Sequence, residues 1–286
     1  MPHQTATVTR RGTAFIRRAS KFLRRVRKLW RRARRWWRPA PRPAKFIMAA
    51  LVILVLWLGI NWIYQVARKP SELFFPVSGT LYKSPAETWQ QYGSLFRKYS
   101  TSVMTPDFLA AIAQVEGSGN PVARTYWRWS WSSQPFEVYR PASSAVGMYQ
   151  ITDGNFAEAR RYCIHDHAVV ADGPWNDWHS CWFTSLYARV LPGDAVELTS
   201  AYLDHSVASI LERHRMASAS LQHRQMLAAL IHLCGAGAGD EFARREFKLT
   251  DGQRCGDHPA RTYIQRVEAM QSVFRSLGAR PSSGAE

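Results

Sequence analysis

Residues 46–64, FIMAALVILVLWLGINWIY, run for 19 positions with no charged residue and one Asn. At about 1.5 Å per residue a helix of this length nearly crosses a hydrocarbon core of about 30 Å. A core helix of a water-soluble domain usually keeps one polar face. This stretch has none, which predicts a membrane-spanning helix over residues 46–66. A cleaved signal peptide is not expected. The basic region before the stretch is too long, and YQVARK after it carries Gln65 where a small residue is wanted.

The formal charge of +17 is a property of the tail. Residues 1–45 hold 16 Lys and Arg and no acid, and the first acid is Glu72. The rest of the chain holds 22 basic and 21 acidic residues. Within the tail, Phe15, Ala19, Phe22, Val26, Leu29, Ala33 and Trp36 alternate at spacings of 4 and 3, with arginines on the other faces. That pattern is an amphipathic basic helix, stopped by Pro39, Pro41 and Pro43. Beside a membrane span it fits the surface of an anionic inner leaflet. A coiled coil would set like charges against each other, and nucleic acid is not expected as a partner. Basic bias places the N-terminus in the cytoplasm and the larger C-terminal part outside, in an oxidising compartment.

All four cysteines, Cys163, Cys181, Cys234 and Cys255, fall on that outer side. They permit three pairings, of which Cys163–Cys181 with Cys234–Cys255 is the most local and is favoured. The stretch CIHDH sets His165 and His167 near Cys163, but its spacing is not a common zinc signature, so no metal is expected.

The chain divides into a tail (1–45), a span (46–66), a juxtamembrane stalk with one helix opened by Ser84 and Pro85 (67–100), a mainly helical domain (101–277) and a frayed end (278–286). Amphipathic stretches predict helices over 106–116, 154–162, 177–190, 195–214, 222–234 and 259–277. Between them RTYWRWSWSSQPFEVYRP (124–141) is aromatic and alternating, which predicts a short hairpin or an ordered loop.

One carboxylate stands out. In AIAQVEGSGNP (111–121), Glu116 ends the helix whose stripe is Phe108, Leu109, Ile112 and Val115. Thr105 and Pro106 suit its start and Gly117 a left-handed cap at its end. The helix C-terminus is partly negative and burial removes water, so both disfavour an ionised side chain there. A group that keeps its proton near neutrality is what a general acid needs. The alternative is an exposed acid at a helix tip. The next acid along the chain is Glu137, then Asp153 and Glu158, each read as a loop or surface residue; Asp107 reads as a first-turn acid.

The wider pattern resembles a known family. TPDFLAAIAQVEGSGNP is similar to the start of the soluble-lytic-transglycosylase (SLT) domain, a helix followed by Glu, small residues and Asn-Pro. The resemblance puts the catalytic acid at Glu116 and the Asn-Pro at Asn120 and Pro121. SSAVGMYQIT resembles the Gly-Leu-Met-Gln stretch, with Gly147 and Gln150 in place and Met148 and Tyr149 between. HPARTYIQRVEAM resembles the last motif, with Tyr263 as the tyrosine that reaches the groove. LIHLCGAGAG lies where the family has Ala-Tyr-Asn-Ala-Gly, so Cys234 and Gly235 replace the Tyr and Asn. The gap from Glu116 to Gly147 is also longer than the family's.

The resemblance covers about residues 101–277 and implies a mainly α, lysozyme-like (goose-type) domain with a short β-hairpin or loop insertion. It implies cleavage of the β-1,4 bond between N-acetylmuramic acid and N-acetylglucosamine in peptidoglycan, with a 1,6-anhydro product, one Glu as acid then base, and no cofactor. The setting would be a bacterial inner membrane with the catalytic domain in the periplasm, and a cell-envelope complex is a further expected partner. Gln150, Tyr149, Gly147, Tyr263, Asn120, Trp127 and Tyr139 are the expected substrate contacts. Ser118 reads as a turn residue able to position the acid. Tyr126, Trp129 and Trp131 are further candidates for stacking on sugar, and Tyr149 or His232 for replacing the missing Tyr-Asn pair. The alternatives are a hydrolytic muramidase and a weakly active or inactive wall-binding scaffold.

Overall fold

The computed structural model describes residues 28, 39, 41–177 and 179–279. The expected tail helix and the residues after 279 lie outside the described residues. The chain forms two compact units, residues 1–63 and 64–286. Helix α1 (Arg42–Arg68) holds the uncharged run, with Pro43 in its first turn and a mean hydropathy of 2.5 over its most apolar window. It is long and apolar enough to span a membrane.

The second unit is mainly helical. A 3-10 turn (Pro70–Phe74) and a short helix α2 (Phe75–Ser78) lead to α3 (Pro85–Lys98). Ser84 and Glu87 close a reciprocal capping box at the start of α3, and Pro85 supplies the first helical position. The rest of the helical frame is α4 (Pro106–Gly117), α5 (Asp153–Ala159), α6 (Pro192–Arg213), α7 (Leu221–Cys234), α8 (Ala236–Arg244) and α9 (Ala260–Gly278). Helix α4 is the central element. Phe108 through Ala113 are all buried, and α3 and α9 pack against it. Phe96, Leu203, Leu227, Phe242 and Phe274 complete the core around it. The stalk expected over 67–100 is therefore corrected. Helix α3 places Tyr92 and Phe96 in this core and belongs to the globular unit.

Among the described residues, three two-stranded antiparallel ribbons decorate the helices. The aromatic stretch forms the expected hairpin, β1 (Trp127–Trp129) with β2 (Tyr139–Pro141). A second hairpin, β3 (Tyr162–His165) with β4 (Ala168–Ala171), was not legible as one. Asp166 and His167 both have positive φ, 48° and 63°, the primed-turn geometry that joins two strands tightly. The helix expected over 177–190 is absent among the described residues there. Only a 3-10 turn, Trp182–Leu186, forms, held by the Thr184 hydroxyl on the Cys181 carbonyl at 2.7 Å.

Both favoured cysteine pairs stand at disulfide distance, with Cα–Cα separations of 5.5 Å for Cys163–Cys181 and 5.3 Å for Cys234–Cys255. The second ties the end of α7 to β5 (Arg254–Cys255), which pairs with β6 (His258–Pro259) just before α9. Closing a loop of this size stabilises a fold by about 3 kcal/mol through the unfolded chain. We expect Cys234→Ser/Cys255→Ser to lower unfolding free energy by about 2–4 kcal/mol under oxidising conditions. Denaturant midpoints check this, and an unchanged midpoint would show that the link contributes nothing.

Candidate active site

Glu116 is positioned by the way α4 ends. The sequence suggests Gly117 as the left-handed cap, but Ser118 takes that conformation, with φ 48° and ψ 43°. Gly117 stays helical because another strand of chain presses on it. A Cβ at position 117 would lie 2.7 Å from the Met148 Cα. That approach is shaped by Gly147, whose φ is 80° and whose missing Cβ leaves room for the Arg189 carbonyl. Two distant motifs are thereby locked together, and Glu116 lies beside their junction. At the other end, Pro106 opens α4, but the Thr105 side chain makes no cap bond; its hydroxyl accepts from Gln225 Nε2 at 3.1 Å. Asp107 accepts from Gln271 on α9 at 2.9 Å and so fixes α4 against that helix.

The Glu116 side chain is 17% exposed, so its carboxylate is largely enclosed yet reachable. His232 of α7 faces it, with Nε2 3.7 Å from Oε1, beyond a direct hydrogen bond. Burial lowers the His232 pKa, against the opposing pull of the Glu116 charge and the Tyr149 backbone. Tyr263 of α9 completes the group. Burial raises its pKa well above the usual value, and the Glu116 charge raises it further. Its hydroxyl faces Glu116, but the contact falls short of normal hydrogen-bond geometry. Two neutral groups able to exchange a hydrogen bond thus flank one acid. Such a set can hold a proton, hand it outward and stabilise the carboxylate left behind.

The neutral state of buried His232 has a consequence for stability. Above the unfolded-state value of about 6.5 neither state is protonated there; below it the unfolded chain takes a proton that the fold resists. Stability should therefore fall as pH drops below about 6.5, by at most about 1.4 kcal/mol per pH unit from this residue. Urea midpoints between about pH 7 and 5 should fall less steeply for His232→Gln than for the wild type. Parallel slopes would remove His232 as the cause.

The other expected contacts divide. Gln150, half-buried with φ 47°, spends its Nε2 on the carbonyls of Gly147 (2.8 Å) and Ala123 (3.2 Å). It holds the loop beside Glu116. Tyr149 is corrected to a core residue: it is fully buried, and its hydroxyl donates to the Leu109 carbonyl at 3.1 Å. It cannot replace the missing tyrosine from there. Asn120 is likewise corrected. It is fully buried, donates to the Ser78 carbonyl at 2.6 Å and accepts from the Val122 amide at 3.0 Å, which builds the turn after α4. Ser118 is the turn residue, and its carbonyl accepts from the Lys83 amide at 2.9 Å.

No protein-family model matches the chain, and no curated protein does.

Trp127 and Tyr139 belong to a different cluster. The Trp127 indole donates to Glu72 at 2.9 Å, and its ring lies 5.2 Å from that of Tyr139, which also meets Trp129 at 4.7 Å. Glu72 is wholly buried, accepts from Arg124 at 3.1 Å and sits 3.4 Å from the Lys69 ammonium. Sequence reasoning passed over Glu72 because it was assigned to a stalk. The signal was there: it is the first acid of the chain, three residues after Lys69.

Proposed function

We propose that this chain is a membrane-anchored lytic transglycosylase of the SLT, lysozyme-like type, with Glu116 as its acid and base. The observation that carries this is the largely enclosed carboxylate faced by Tyr263 and His232, on a buried helix pinned to the Gly147–Gln150 loop. Ordinary glycosidases work with two carboxyl groups. Here the groups that face Glu116 among the described residues are a phenol and an imidazole.

In the proposed reaction Glu116 protonates the glycosidic oxygen between N-acetylmuramic acid and N-acetylglucosamine. The C1–O bond breaks, and the sugar's N-acetyl group stabilises the positive charge on C1. Tyr263 stabilises the Glu116 carboxylate that results. That carboxylate then takes the proton of the C6 hydroxyl as O6 bonds to C1. The acid is regenerated, and no water is consumed. Helix α1 would hold the enzyme in a bacterial inner membrane with the helical unit in the periplasm, and the arginine-rich tail would rest on anionic inner-leaflet lipid.

Digestion of purified peptidoglycan sacculi with the full chain in detergent tests the reaction type. Mass spectrometry should find muropeptides ending in 1,6-anhydro-N-acetylmuramic acid. Reducing ends instead would make the protein a hydrolytic muramidase. Absence of released glycan would make it a scaffold, a reading favoured by Cys234 and Gly235 at the Tyr-Asn positions.

A further inference from the structure

The C-terminal end of α1 opens onto a cleft of about 240 Å³ that no step of the proposed reaction uses. Its walls include Arg68, Lys69, Arg140, Ser143, Ser144 and Asp153. Lys69 is committed to the fold: its ammonium donates to the Ser143 and Ala145 carbonyls at 3.2 and 2.9 Å and pairs with Glu72. The two arginines are half-exposed and share one acid, Glu137, at 3.0 Å from Arg68 and 3.6 Å from Arg140. Asp153 is already paired with Arg189 at 2.7 Å.

The cleft is lined by three cations, Arg68, Lys69 and Arg140, against one acid, Asp153, and the hairpin adds a further charge next to Arg140. Arg128 on β1 stands directly opposite Arg140 on β2 in the strand register. Like charges facing across a ladder repel, so Arg140 gains from an anion on its cleft side. The serine hydroxyls add donors. Each accepts one backbone amide, Ser143 from Ala145 and Ser144 from Asp153, and keeps its own proton for an acceptor.

The position of the cleft narrows the anion. Gln65 donates to the Phe136 carbonyl at 2.6 Å, and Tyr64 lies 5.3 Å from the Phe136 ring, so the hairpin loop is fastened to the last turns of α1. On that hairpin Trp129 is 65% exposed, and Trp131 has no cover at all. Indoles beside the end of a spanning helix match the headgroup layer, where tryptophan is enriched. We infer that this cleft binds the phosphate of an anionic phospholipid in the leaflet where α1 ends, with the hairpin tryptophans seated in the same interface. The inference rests on α1 being a membrane anchor.

Native mass spectrometry of the full chain in a neutral detergent tests this, with added phosphatidylglycerol or phosphatidylcholine. Two variants report on the cleft: Arg68→Gln/Arg140→Gln removes charge, and Ala142→Trp fills the space and keeps charge. The arginine-rich tail is present in all three proteins, so differences read the cleft. Wild type should retain phosphatidylglycerol over phosphatidylcholine, and both variants should lose about tenfold in phosphatidylglycerol affinity, the equivalent of about 1.4 kcal/mol. Equal retention by wild type and both variants, or equal retention of the two lipids, overturns the site. Excess inorganic phosphate separates the sources. Displacement supports a phosphate site open to either, and persistence of the lipid supports the lipid as occupant. Flotation with phosphatidylcholine vesicles tests the anchor separately: a chain that stays at the bottom refutes the anchor, whatever the variants do.

Discussion

Replacing Glu72 by Gln should cost the globular unit about 3–5 kcal/mol, although the residue touches no catalytic group. Glu72 is wholly buried, and its carboxylate faces Lys69, Arg124 and the Trp127 indole. Ions taken out of water are tolerable only while paired. The amide would leave two enclosed cations without their anion, and would set its own N–H₂ against donors. Burial already lowers the Lys69 pKa even with Glu72 beside it. At about 2–4 °C per kcal/mol for a unit of this size, the thermal midpoint should fall on the order of 10 °C. Circular dichroism of the detergent-solubilised chain would measure it. Glu137→Gln is the control, because its partners Arg68 and Arg140 are half-exposed and such pairs contribute at most about 1 kcal/mol. Equal shifts for the two variants would mean that the buried cluster is not what joins the turn after α1 to the hairpin.

That cluster also marks where reading the sequence stopped. Local signals sufficed for α4, for the apolar helix α1 and for the aromatic hairpin, because each is written in the residue pattern of a short window. Helix α3 was legible as a helix opened by Ser84 and Pro85, but not as part of the core. Its burial depends on Tyr92 and Phe96 meeting residues far along the chain. The cap of α4 was misplaced by one residue for a similar reason. Rules of local geometry favour Gly at the left-handed position, whereas Gly117 is there so that Met148 can approach.

The hairpin β3–β4 escaped because its turn is Asp166-His167 rather than the usual Asn-Gly. Helix α8 escaped because its glycines read as a motif. One of them, Gly239, lets Ile231 of α7 pack close, within 2.5 Å of where a Cβ would stand. Of the candidate site, Glu116 and Tyr263 were legible as residue types, and His232 as one of two stand-ins for the missing pair. What the sequence left open was which stand-in faces the acid, since three helices bring Glu116, Tyr263 and His232 together. Tyr149 and Asn120 were misread because a polar side chain within a motif looks the same in sequence whether it faces a groove or the core.

The central claim is that Glu116 alone moves the protons. In the proposed cycle it first donates to the leaving oxygen and then accepts from the C6 hydroxyl, so Gln, which has the shape and neither ability, should abolish both. Loss of a general acid or base typically slows a reaction by about 10²–10⁴-fold. The most direct measurement is the rate at which purified sacculi release 1,6-anhydro-muropeptides with the full chain and with Glu116→Gln, both checked for the same thermal midpoint. The account predicts steady release by the wild type and a loss of at least about a hundredfold in the variant. Equal release by the two proteins would contradict it.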